Sequence, residues 1–191
     1  MTTGVPQSKY DDEYYLLCEG WTEDGMPGRR LRTLYNFVPE EAKHIIDIGC
    51  GRGETAKYFN DRFVLSIDYS IAAMRRFHEV NEDRKTFIRH DVSKGMYWIE
   101  TGYFDCAILA DIVEHLYPEQ LETLGFETVR LVRSEGIILI DTPIMKGGES
   151  ELHVDIKESA DEVQKYFPKT TLIGTNWFMK PEHCNIILKV L

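Results

Sequence analysis

Hydrophobic and polar positions along this chain change period again and again. Short apolar runs cover residues 45–48 (IIDI), 63–67 (FVLSI), 86–89 (TFIR), 104–110 (FDCAILA) and 137–140 (IILI). Between them, residues 54–59, about 70–80 and 118 to about 133 space their apolar side chains three or four apart, as a helix does. Strands alternating with helices predict βαβ units and a parallel sheet. Pro118 opens the longest helix, and Gly136 ends the connection to the strand after it. A further helix is predicted over 158–167, stopped by Pro168. Residues 170–178 and 184–191 then alternate or run apolar with a short link between them, so they are expected to close the sheet as an antiparallel pair.

The region before the first strand reads differently. Residues 1–9 resemble a frayed tail, and 10–20 (YDDEYYLLCEG) are acidic and then aromatic. Gly20 to Gly28 form a loop, and 29–37 (RRLRTLYNF) form a basic amphipathic helix, with Arg29, Arg30 and Arg32 as a local basic patch. The expected organisation is one domain over 1–191, with an N-terminal segment at 1–43 and the sheet-bearing core at 44–191.

The first apolar run breaks into Gly49-Cys50-Gly51-Arg52-Gly53, and a helical pattern follows. A strand, a glycine turn and a helix start together make a nucleotide-type loop: glycines let a ligand approach the backbone, and the new helix offers free N–H groups. The spacing narrows the ligand. A P-loop is excluded because no GK[ST] follows, and a dinucleotide fingerprint wants a small residue where Glu54 stands. Acids directly follow the next apolar strands, at Asp68, Asp91 and Asp111. In such sheets ligands lie beyond the carboxyl ends of the strands. A row of carboxylates repels a pyrophosphate and suits a ligand with hydroxyls, an amine and a positive centre.

Charge and cysteine usage limit the setting. The formal net charge of −10 argues against nucleic-acid partners and against an anionic membrane surface. Cys18, Cys50, Cys106 and Cys184 are scattered without metal-ligand spacing, and the last three sit in apolar company as small hydrophobes. With no apolar leader or membrane-length run, a reducing, cytoplasmic setting is expected.

The set IIDIGCGRGE, SIDYSIAAM, HDV and FDCAILADIVEHL, spanning about residues 44 to 143, resembles the class I S-adenosylmethionine-dependent methyltransferases. The resemblance implies an α/β, Rossmann-like, seven-stranded, mostly parallel sheet with an antiparallel C-terminal hairpin and helices on both faces. It implies S-adenosyl-L-methionine as cofactor. Asp47, Gly49, Cys50, Gly51 and Gly53 would bind it at the loop, and Asp68 would take the ribose hydroxyls through charge-assisted bonds. Tyr69 and Met74 would lie near the adenine, Asp91 and Val92 would contact its edge, and Ala110 and Asp111 would close the methionine end. Asp68 and Asp91 can alternatively serve as helix N-caps.

Asp111, Glu114 and His115 stand at i, i+3 and i+4, positions that share a face on one helical turn, and His153 follows the fifth strand. This D-x-x-E-H segment with a later histidine is similar to metal-dependent O-methyltransferases of the ubiquinone pathway and of small-RNA 2′-hydroxyls. The similarity implies Mg²⁺ or another divalent cation on Asp111, Glu114, His115 and His153. Without a metal, Glu114 caps or pairs and His115 packs or acts as a base. His115 is the first candidate base and His153 the second. Tyr14, Tyr15, Trp21 and Tyr35 can wall the substrate or simply pack. The short loop after Pro143 leaves the acceptor site open or completed by a second copy in a homodimer. The leading reading is O-methylation of a small-molecule or sugar hydroxyl. Its alternatives are a terminal RNA hydroxyl as acceptor and a non-catalytic, cofactor-binding scaffold subunit.

Overall fold

The computed structural model describes residues 7–17, 26–81, 86–145, 153–179 and 182–191. The expectations for Cys18, Trp21 and a polar turn at 146–151 lie outside these residues. Seven strands form one sheet: β1 (His44–Ile48), β2 (Phe63–Asp68), β3 (Thr86–Arg89), β4 (Phe104–Ala110), β5 (Val132–Pro143), β6 (Thr170–Met179) and β7 (Glu182–Val190). Their order is β3-β2-β1-β4-β5-β7-β6. The first five pair in parallel, and β7 runs antiparallel between β5 and β6. The order reverses between β1 and β4, which is where open α/β sheets bind ligands.

Period-2 side chains divide the core into two layers. Ile46, Ile48, Leu65, Ile67, Ala107, Leu109, Ile138 and Ile140 face one side with Leu121, Leu124 and Leu131 of α5 (Pro118–Leu131) and Val163 of α6 (Ala160–Gln164). Ile45, Val64, Cys106, Ile108 and Leu139 face the other. There they meet Leu34 of α2 (Met26–Tyr35), Ala56 of α3 (Glu54–Tyr58) and Phe77 of α4 (Ile71–Val80). Each fully buried Ile or Leu contributes about 1.5–3 kcal/mol, so both faces must be covered and the central strands read as continuous apolar runs. Cys50, Cys106 and Cys184 are free thiols in this interior. No helix among the described residues is long and apolar enough to cross a membrane.

One connection departs from its sequence pattern. The long helix stops at Leu131 and β5 begins at once at Val132, so Gly136 lies inside a strand. The β4–β5 register slips between Phe104 and Cys106, and Glu135 takes φ 67° in the bulge. A Cβ on Gly136 would stand 2.8 Å from the Asp105 carbonyl oxygen, so the glycine serves close strand approach rather than a helix stop.

The glycine turn is tied to the neighbouring strand, since the Gly49 and Cys50 amides both donate to the Ile67 carbonyl at 2.8 and 3.1 Å. Gly53 has φ 85°, and a Cβ there would stand 2.3 Å from the buried ring of Phe77. This glycine lets α4 pack on the loop. Gly53→Ala adds left-handed strain and a clash, and is expected to cost about 3 kcal/mol. Its urea midpoint should fall accordingly; an unchanged midpoint would mean that α4 moves aside freely.

Candidate active site at the carboxyl ends of the strands

Four carboxylates stand at the carboxyl ends of adjacent parallel strands: Asp47 on β1, Asp68 on β2, Asp111 directly after β4 and Asp141 on β5. Asp68 is buried and accepts from the Gly51 amide at 3.0 Å and the Ser70 amide at 2.8 Å. It therefore staples the glycine turn to the end of β2. Burial pushes its pKa up, against the pull of those amides. Asp91 instead caps the short 3₁₀ turn Val92–Lys94, accepting from the Ser93 amide at 3.2 Å and hydroxyl at 2.6 Å. Burial works to raise its pKa, but Ser93 and Lys94 outweigh that and hold it below the ordinary value.

The N-terminal segment lies over this edge. Tyr10 and Tyr15, flanking the start of α1 (Asp12–Leu17), are buried against Ala72 and Ala73 of α4. The Ser70 hydroxyl caps α4 and donates to the Tyr10 carbonyl at 2.7 Å. The Tyr10 ring meets Tyr69 edge-on at 5.7 Å and His115 edge-on at 5.6 Å, so one residue spans both halves of the cleft. Among the described residues, a Cβ on Gly51 would meet only Tyr15, at 3.8 Å, so this glycine of the loop is the least enclosed by side chains. Tyr35 packs in the core instead, its hydroxyl 3.0 Å from that of Thr55.

After β4 the chain turns sharply. Asp111 takes φ 51°, and Val113–His115 form a single 3₁₀ turn. This corrects the shared helical face expected for Asp111, Glu114 and His115: a left-handed residue before the turn sends Asp111 elsewhere. Glu114, His115 and His153 do come together, with one potential ligand atom from each within 4.8 Å of the others. The two histidine rings are 5.1 Å apart, and Glu114 Oε1 lies 3.8 Å from His115 Nε2. Glu114 is 1% exposed and accepts from the Thr142 hydroxyl at 3.0 Å. Burial, with Asp111 nearby, pushes its pKa well above the usual carboxylate range. Burial lowers the pKa of His153 and favours its neutral form.

The fold has counterparts among known proteins. Residues 46–140 match the family model described as "Methyltransferase domain". That stretch belongs to the methyltransferase-domain family, and the fold around it is that of S-adenosylmethionine-dependent methyltransferases. No curated protein matches it in sequence. Among solved structures, a SAM-dependent methyltransferase from Archaeoglobus fulgidus superposes with a TM-score of 0.71 at 16% identity, over 92% of this chain and 99% of that one. The 1,6-didemethyltoxoflavin-N1-methyltransferase of Burkholderia thailandensis, with bound S-adenosylhomocysteine, gives 0.74 at 18% identity, over 97% and 87%. The N-methyltransferase NodS of Bradyrhizobium japonicum WM9, also with S-adenosylhomocysteine, gives 0.75 at 14% identity, over 88% and 89%.

The residues assigned from sequence lie at, or just beyond, the carboxyl ends of β1 to β4. Gly49, Cys50, Gly51 and Gly53 form the turn, Tyr69 and the half-buried Met74 follow β2, Val92 is buried beyond β3, and Ala110 and Asp111 end β4. Asp111, however, does not join Glu114. Its carboxylate belongs to a second group with Asp141 and His183, which the sequence reading missed. Arg30 enters that group from α2 and is 3% exposed, so it is not part of a surface basic patch. Asp141 carried the same signal as its neighbours, an acid at the end of an apolar run. His183 and Arg30 carried none.

Asp47 has the least compensated position. One oxygen is buried without a hydrogen-bond partner, while the other side faces Thr55. Burial raises its pKa to about 7; Thr55 lowers it, and Glu54 and Asp68 raise it further. The unfolded chain releases this proton near pH 4. Between those values the folded chain keeps a proton that the unfolded chain has lost, so stability is greatest at the acid end and falls as pH rises to about 7. Asp47→Asn removes this contribution. Thermal melts should therefore show the variant gaining on the wild type from pH 5 to pH 8; parallel curves would refute the protonated, buried carboxyl.

Proposed function

We propose that this methyltransferase transfers the methyl group of S-adenosyl-L-methionine to a hydroxyl of a small molecule or sugar. The observation that carries the reading is the Glu114, His115 and His153 cluster beside the glycine turn, beneath Tyr10. The cofactor's fit is supported by the residues themselves. Asp47 keeps a buried, orphaned oxygen that a cationic ligand would satisfy, Gly51 is the glycine of the turn least enclosed by side chains, and the Asp68 carboxylate stands at the turn. Asp68, Gly49, Gly51 and Gly53 would hold the ribose and methionine parts, and Tyr69, Met74, Asp91 and Val92 the adenine. Bound S-adenosylmethionine supplies an electrophilic sulfonium methyl.

The chain's part is alignment and proton removal. Alignment of reacting atoms accounts for much of the acceleration in such a displacement. A hydroxyl also needs a base, worth typically 10²- to 10⁴-fold. A neutral His153 can accept that proton, and His115, packed against it, can relay or accept it. The donor set also fits a divalent cation. One carboxylate and two imidazoles favour a transition ion over Mg²⁺, with Glu114, His115 and His153 as ligands and without the Asp111 expected from the sequence. Such ligands bind in their deprotonated forms, so the ion's affinity would rise with pH.

Calorimetry should find binding of S-adenosylhomocysteine and none of NAD. Asp68→Ala should weaken that binding at least tenfold, about 1.4 kcal/mol, through loss of a charge-assisted acceptor; unchanged affinity would remove Asp68 from the ribose role.

With a panel of hydroxyl and amine acceptors, adenosylhomocysteine release is expected with hydroxyls. His115→Ala and His153→Ala should each slow release about 100-fold or more. Release with amines alone would overturn the hydroxyl assignment. Loss of activity with EDTA, restored by a divalent ion, is the outcome expected of the metal-assisted form; EDTA resistance leaves the histidines as bases alone.

A further inference from the structure

Arg30 sits on α2, far in sequence from the glycine turn and from the turn carrying Glu114 and His115. It nevertheless reaches the edge where the site is built. Nη1 and Nη2 donate to the two oxygens of Asp111 at 3.2 and 3.1 Å, a two-pronged fit that only a guanidinium makes. Nη1 also contacts Asp141 Oδ2 at 2.5 Å and His183 Nδ1. Asn185 Nδ2 donates to Asp141 Oδ1 at 2.9 Å, so both oxygens of Asp141 are engaged. Arg30, Asp141 and Asn185 are all almost fully buried. One side chain of the N-terminal segment thus joins the ends of β4, β5 and β7.

Asp111 is the critical partner. A non-glycine residue in the left-handed region costs roughly 1–2 kcal/mol and persists only when its surroundings over-determine it. Three contacts surround it here: the Asp111 amide donates to the Asp141 carbonyl at 2.8 Å, the guanidinium fork holds its carboxylate, and His183 Nδ1 lies 3.5 Å from Oδ1. Three residues later the same turn presents Glu114 and His115. Undocking α2 would leave Asp111 and Asp141 side by side with only the His183 imidazole, 3.5 and 3.6 Å away, between them, and the left-handed turn would lose its two-pronged restraint.

We propose that Arg30 is the positioning residue of this active site: by holding Asp111 in its left-handed conformation, it makes docking of the N-terminal helix and assembly of the Asp111–His115 turn a single event. The effect on ligand binding rests on the reading above that this turn borders the cofactor.

The test is Arg30→Ala, followed by hydrogen exchange and by calorimetry with S-adenosylhomocysteine. Exchange should quicken at 26–35 and at 111–115 together while 118–131 is unmoved, and affinity should fall at least tenfold. Methylguanidinium at millimolar concentration should restore part of that affinity by filling the vacated fork. Arg30→Lys should not restore it, because a point charge cannot grip both oxygens. Wild-type affinity in folded Arg30→Ala, or faster exchange confined to 26–35, would overturn the proposal. If the alanine variant does not fold, Arg30→Lys carries the same measurement: a folded protein with at least tenfold weaker binding is expected, and wild-type affinity refutes it. Should the wild type itself bind no S-adenosylhomocysteine, the cofactor reading fails, while the exchange comparison still decides the role of Arg30.

Discussion

Carboxylates crowd one edge of this sheet, and the rest of the molecule is arranged around making that tolerable. Parallel strands of matched length deliver Asp47, Asp68, Asp111 and Asp141 to the same end, and like charges in a water-poor setting repel strongly. Each is compensated differently. Burial raises the pKa of Asp47 to about 7. Asp68 receives two backbone amides and in return fixes the glycine turn. Asp111 and Asp141 share the Arg30 guanidinium. Removing any one of these solutions exposes the others, because the groups are neighbours.

The N-terminal segment follows from that constraint. It brings the counter-ion for β4 and β5 in α2, and with Tyr10 and Tyr15 it brings aromatic surface that shields the remaining acids from water. Shielding strengthens every electrostatic contact beneath it. The segment is therefore part of the site, not an appendage to a finished sheet. The same geometry separates the two polar groups at the edge: Asp111 turns toward Arg30, and Glu114 turns toward His115 and His153. A cation already occupies the first group, in the form of a side chain. The second keeps a buried carboxyl and two imidazoles.

Much of the sheet was legible in the chain because burial on both faces imposes runs such as FDCAILA that a helix surface would not tolerate. The glycine turn was legible for a similar reason, since left-handed backbone at Gly49, Gly51 and Gly53 leaves glycine as the low-strain choice. Gly136 misled, because a glycine required by the close approach of the Asp105 carbonyl looks in sequence like a helix stop. The D-x-x-E-H spacing misled in part, because a helical face exists only if every residue in it is helical, and Asp111 is not.

By itself the sequence determined which apolar runs become strands, the glycine turn after the first of them and the acids at the strand ends. Those depend on local backbone preference and on side-chain period, which neighbouring residues settle. Only the tertiary structure decided which charge neutralises which. Arg30 and Asp111 are 81 positions apart and Arg30 and His183 are 153 apart, and nothing in the local pattern around an arginine tells a surface cation from a buried one. That pairing arises when a helix from the beginning of the chain lands on strand ends from its middle and its close, where a guanidinium compensates the buried Asp141 and the part-buried Asp111 beside it.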